Sequence, residues 1–118
     1  MLLIVDDDPV FLDQARENFD AGRGIFLAPD AARARELLDL LGANLTVALV
    51  DLDLPDEDGF TLIHEMRRRF PNLAVVAISG VYQQHVLDSA ISLGARATLQ
   101  KPITPDWNAA IAPYRHTA

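Results

Sequence analysis

The chain has no cysteine, which excludes disulfides and thiolate metal sites and fits a cytoplasmic protein. It is poor in basic residues, with 10 Lys and Arg against 17 Asp and Glu and a net charge of −7. That balance argues against nucleic acid as a direct partner, because phosphate backbones are held by Lys and Arg. The one basic run, Arg67-Arg68-Arg69, reads as the solvated end of a helix. No apolar stretch approaches the roughly 18 residues of a membrane helix, so no membrane association is expected. The start, MLLIVDDD, has no basic n-region and is not a signal peptide. Repeats, linkers and low-complexity segments are absent from the sequence. His64, His85 and His116 show no ligand spacing, which speaks against a histidine metal site or a phosphohistidine role.

What is present is a chain of 118 residues, half of them hydrophobic, enough for a single domain over residues 1–118 with a proper core. Apolar strand-like runs alternate with helical patterns throughout. Leu2 to Val5 reads as a strand, and Asp8 followed by Pro9 reads as a helix cap and first helical position. Phe11, Ala15 and Phe19 give that helix one buried stripe, and Gly22 and Gly24 are expected to stop it. Ile25 to Ala28 is a second strand. Asp30 caps a helix with core face Ala31, Ala34, Leu38 and Leu41, closed by Gly42.

Leu45 to Val50 is the third strand, and Leu62, Ile63, Met66 and Phe70 mark the third helix. Leu73 to Ile78 reads as a fourth, central strand. Leu87, Ala90, Ile91 and Leu93 mark a fourth helix ended by Gly94, and Ala97 to Leu99 a weak fifth strand. Thr104-Pro105 repeats the cap-then-proline start before Trp107, Ile111 and Tyr114, and Pro113 is expected to break this last helix after about two turns. Five such alternations predict an α/β three-layer sandwich, a parallel sheet with helices on both faces. Ligands in such sheets bind beyond the carboxyl ends of the strands.

The strand ends are where the acids lie. Asp6, Asp7 and Asp8 follow strand one; Asp51, Asp53, Asp56, Glu57 and Asp58 follow strand three; Ser79-Gly80 follows strand four, and Lys101-Pro102 follows strand five. Two carboxylates about 4 Å apart at an effective dielectric of roughly 20 repel by on the order of 4 kcal/mol. A hard divalent cation with oxygen ligands is the natural counter-charge, and Mg²⁺ fits a half-open site. Lys101 adds a second cation and Ser79 a hydroxyl donor. Taken singly, Asp8 reads as a helix cap, Asp56, Glu57 and Asp58 as loop solvation and a cap for the third helix, and Gly59 as a tight turn.

With those segments in view, the chain resembles the bacterial response-regulator receiver domain, the phospho-acceptor module of two-component signalling. The resemblance rests on IVDDDP, VDLDLPDEDG, Ser79-Gly80 and KPITP in order, and it covers essentially the whole sequence. It implies a flavodoxin-like sheet of five parallel strands in the order 2-1-3-4-5 with five helices. It further implies that Asp51 is phosphorylated, that Asp6 and Asp7 hold Mg²⁺, and that Asp53 gives its backbone carbonyl to the metal. Ser79 would bond an incoming phosphoryl oxygen, Gly80 would leave room for it, Lys101 would pair with it, and the bond before Pro102 would be cis. The implied partners are a sensor histidine kinase or a histidine phosphotransfer protein, and an effector domain or downstream protein that reads the switch. Beyond Mg²⁺-dependent self-phosphorylation and self-dephosphorylation, no enzyme activity is expected.

One position departs from the pattern. Thr98 stands three residues before Lys101, where the family usually has Tyr or Phe, so a partner is expected to read the loop before the fourth helix, with Tyr82 and His85 as contacts. Two other readings compete. The DLDLP segment resembles the nucleophile of haloacid-dehalogenase-like phosphatases, but Pro55 stands where those have threonine. The alternative within the same fold is a non-phosphorylated pseudo-receiver that only binds partners.

Overall fold

Leu2–Val5 (β1), Ile25–Ala28 (β2), Val47–Asp51 (β3), Ala74–Ser79 (β4) and Ala97–Gln100 (β5) pair in parallel, in the order β2-β1-β3-β4-β5. The computed structural model describes residues 1–19, 24–80, 83–103 and 106–115. Gly22, Tyr82, Thr104, Pro105 and His116 therefore lie outside the described residues. Every residue of β1, β3 and β4 is buried, as continuous Val, Leu and Ile runs require when both faces are covered. The outer strands β2 and β5 are largely half-buried.

Side chains alternate along each strand and divide the interior into two cores. Leu3, Val5, Ala48, Val50, Val75 and Ala77 point to one face. Ala31–Leu41 (α2), Gly59–Arg69 (α3) and Gln84–Leu93 (α4) cover it, with Leu38, Leu62, Ile63 and Met66 fully enclosed. Leu2, Ile4, Val47, Leu49, Val76 and Ile78 point the other way, towards Pro9–Asn18 (α1) and Trp107–Arg115 (α5). The result is the three-layer, flavodoxin-like sandwich.

Several local details differ from expectation. β3 begins at Val47, because Leu45 N–H closes a 3₁₀ turn on Gly42 O and Thr46 N–H bonds Met1 O. Gly42 itself stays right-handed, with φ −43°, so it prolongs α2 into that turn and does not cap it in the left-handed region. α1 ends at Asn18, short of the glycines, yet Phe19 remains buried against Trp107 with ring centroids 5.4 Å apart. Ile91 is 45% exposed and lies outside the core, because α4 sits over the sheet edge and buries Ala90 alone completely. α5 runs two residues past Pro113; a proline removes one ladder bond, and packing of Trp107, Ile111 and Tyr114 on the sheet holds the helix in place. No described helix is long and apolar enough to cross a membrane.

Candidate functional site

Strand register sets the site. Val5 lies opposite Val50, and Ile78 opposite Asp51. The residues leaving β1, β3 and β4 therefore emerge at one level on the carboxyl edge, at the point where strand order reverses around β1 and β3. Asp6, Asp51 and Ser79 are all buried there, at 0%, 6% and 3% exposure. Asp7, by contrast, is exposed. Oxygen atoms of Asp6, Asp7 and Asp51 come within 4.8 Å of one another.

Lys101 reaches into this group from the end of β5, its N–H fixed by Ser79 O at 2.8 Å. Its Nζ stands 2.5 Å from Asp6 Oδ2 and 3.1 Å from Asp51 Oδ2. Burial pulls the ammonium down, but the two carboxylates outweigh it and hold its pKa above the usual lysine value. Burial pushes the Asp6 carboxyl up to about 6, aided by the charge of Asp51, while Lys101 and the Asp8 N–H pull it back. The Lys101–Pro102 bond is cis.

The remaining acids divide as their local chemistry dictates. Asp8 Oδ1 accepts Val10 N–H at 3.0 Å, and Asp58 Oδ1 accepts Thr61 N–H at 2.8 Å, each a helix N-cap. Asp53 is exposed, and its N–H donates to Asp51 Oδ1 at 2.9 Å. Gly59 opens α3, and a Cβ there would lie 2.2 Å from Asp51 O and 2.7 Å from Leu52 Cα. The need for glycine is close backbone approach and not a left-handed turn, since its φ is not positive. A Cβ on Gly80 would meet no described atom within 4 Å.

Two features of the site had no signal in the sequence, and a third lies at the departure already noted at Thr98. Lys101 Nζ lies 4.5 Å from the centroid of the Phe11 ring, which packs on Trp107 at 5.3 Å. Asp56 bonds the first amides of α2, and Arg35 of α2 bridges Glu57 to Glu65. A cavity of about 210 Å³ is lined by Ser79, Leu87, Thr98, Leu99 and Gln100. All depend on partners distant in sequence.

The donor set suits a metal. Hard carboxylate oxygens favour Mg²⁺ or Ca²⁺ over soft metals. Asp6 Oδ2, fully buried, makes an ion pair with Lys101 but lacks an aligned hydrogen-bond donor among the described residues.

Comparison with known proteins agrees with this arrangement. Residues 2–110 match the family model of the response regulator receiver domain. The receiver domain of NtrX from Brucella abortus is 28% identical and superposes over 100% of both chains with a TM-score of 0.87. A response regulator from Burkholderia pseudomallei, solved with a phosphorylated aspartic acid, a calcium ion and citrate, is 26% identical. It covers 98% of this chain and 66% of its own, with a TM-score of 0.79. The response regulator SaeR of Staphylococcus aureus is 25% identical over 104 residues, which are 88% of this chain but 45% of that protein. The chain thus spans about half the length of the curated relatives it matches. With its fold, register and acidic site in agreement, the chain belongs to the family of response regulator receiver domains of two-component systems.

Proposed function

We propose that Asp51 accepts a phosphoryl group from a histidine kinase or histidine phosphotransfer protein, and that the acyl phosphate switches binding of an effector domain or downstream protein. The observation that carries this reading is the convergence of Asp6, Asp51 and Lys101 within ion-pair distance at the end of the central strands. The Burkholderia relative with its phosphorylated aspartic acid supports it.

In the transfer, a carboxylate oxygen of Asp51 attacks phosphorus in line with the donor nitrogen. The P–N bond breaks, and the imidazole leaves with its electron pair. Lys101 follows the charge onto the phosphoryl oxygens, and the Ser79 hydroxyl donates to one of them. The Asp53 N–H on Asp51 Oδ1 keeps the carboxylate oriented. Asp6, Asp7, Asp51 and the Asp53 carbonyl would hold Mg²⁺. When bound, it neutralises charge on the equatorial oxygens. Reversal comes from attack of water on phosphorus, which restores the Asp51 carboxylate; no other catalytic activity belongs to the domain. We place the protein in the cytoplasm, where the donor kinase modules act. The pseudo-receiver alternative has no observation in its favour, since Asp6, Asp7, Asp51, Ser79 and Lys101 are all present in the sequence.

Incubation with acetyl phosphate and Mg²⁺ tests the reading. A single hydroxylamine-labile phosphoryl group is expected on the parent protein and none on Asp51→Asn, with the fold intact by circular dichroism. Undiminished labelling of the variant overturns the assignment, and no labelling of the parent revives the pseudo-receiver.

A further inference from the structure

The loop that follows the acceptor is clamped from a distance. Asp56 Oδ1 accepts Ala31 N–H and Oδ2 accepts Ala32 N–H, both at 2.9 Å. A helix leaves its first amides without intrahelical partners, and α2 already has its own cap, Asp30, which accepts Arg33 N–H at 2.7 Å. Asp56 therefore takes amides that Asp30 leaves over, from 24 and 25 residues away. These amides hold the Asp56 carboxyl below its ordinary value, Ala31 most strongly.

A second tether lies beside the first. Arg35, one turn into α2, places Nη2 2.5 Å from Glu57 Oε1 and Nε 3.0 Å from Glu65 Oε1. Arg35 of α2 thus ties the loop, through Glu57, and α3, through Glu65, by ion pairs, the one to Glu65 also a hydrogen bond. At its base the loop is pinned by an Asp53–Asp58 bridge, by Gly59 N–H on Leu52 O at 3.0 Å, and by Asp53 N–H on Asp51. Force applied at the tip is therefore delivered to the Asp53 backbone and the Asp51 carboxylate.

From this we infer that Asp56, with Arg35 and Glu57 in support, is a positioning residue that holds the Asp53 carbonyl and the Asp51 carboxylate in register for the metal. The inference rests on the reading of the acidic site as an Mg²⁺ site. Asp56 touches neither metal nor phosphoryl group; it acts through the loop. The N-terminus of α2 thereby belongs to the acceptor apparatus, although β2 ends in no chemical residue of its own.

The test is an Mg²⁺ titration of the phosphate-free protein, followed by amide chemical shifts of residues 51–59 and by thermal unfolding. Asp56→Ala is expected to weaken Mg²⁺ about tenfold, the lower end of what outer-sphere partners of metal ligands contribute. Asp56→Asn, which keeps one acceptor oxygen, should recover part of that loss. Asp30→Ala removes a cap from the same helix end without touching the loop, so it should lower the melting temperature and leave Mg²⁺ affinity unchanged. Should Asp56→Ala not fold, Arg35→Gln carries the same expectation in milder form. Unchanged affinity in a folded Asp56→Ala, or in Arg35→Gln where that variant stands in, overturns the inference, as does an equal loss in Asp30→Ala. A parent protein that binds no Mg²⁺ overturns the reading of the site itself, and with it this one.

Discussion

The Lys101 ammonium sits 2.5 Å from Oδ2 of an Asp6 carboxylate that is fully buried. The pairing does not fully offset the desolvation of Asp6, whose pKa remains raised from 3.8 to about 6. A raised carboxyl pKa means that the protonated acid favours the folded state. Its contribution is complete below 3.8 and is lost as pH rises through about 6. The phosphate- and metal-free protein should therefore gain up to about 3 kcal/mol from this group between pH 7 and pH 4. Asp6→Asn should be more stable than the parent at pH 7 and lack that slope. Denaturant melts across the pH range check this; a variant less stable at pH 7 would show that the Lys101 pair outweighs burial.

Mg²⁺ acts on the same account from the other side. A cation that binds only the folded chain stabilises it by about 2.7 kcal/mol at a hundred times its dissociation constant. The melting temperature at pH 7 should rise with Mg²⁺, and the rise should vanish in Asp6→Asn and in Asp51→Asn. A parent melting temperature indifferent to Mg²⁺ would argue against the metal site.

Much of this was legible in the sequence, for identifiable reasons. Buried parallel strands must be continuously apolar, so β1, β3 and β4 declared themselves, and the residues just past them had to share one edge. Asp8, Asp30 and Asp58 were readable as caps because capping is local. What escaped was long-range. Nothing in the spelling of the sequence ties Asp56 to Ala31, or sets Lys101 above the Phe11 ring, since those pairings exist only once α1, α2 and β5 are docked. The acid that bears the burden of burial was equally hidden: Asp6 and Asp7 are adjacent in the segment just past β1, yet the first is buried and the second exposed.

Gly59 offers a test of how tightly the acceptor is held. A Cβ there would be 2.2 Å from Asp51 O and 2.7 Å from Leu52 Cα, and backbone atoms cannot rotate out of the way. Gly59→Ala should cost about 1–3 kcal/mol as an overpacking substitution, and it should displace the acceptor strand end. Labelling from acetyl phosphate should fall by more than the loss of folded protein explains. Labelling in strict proportion to the folded fraction would mean that the strand end absorbs the shift without harm.

The final expectation concerns Thr98. It lies on β5 opposite Ala77, half-buried, beside the cavity of about 210 Å³ that Ser79 also lines. Phosphorylation of Asp51 would draw the Ser79 hydroxyl towards the new oxygens, because it gains a charge-assisted hydrogen bond there. A β-branched threonine has few rotamers with which to follow, so the Thr98 side chain is not expected to enter the space that movement opens. With a beryllofluoride phosphoryl mimic, large amide shifts are expected at Ser79, Gly80 and the first turn of α4, with small ones at Thr98 and Leu99. Thr98→Tyr should fill the cavity, stabilise the fold by about 1 kcal/mol, and carry the shifts onto β5. Large shifts across Thr98 in the parent protein would show that β5 responds without a ring, and equal silence in Thr98→Tyr would show that the cavity plays no part in the switch.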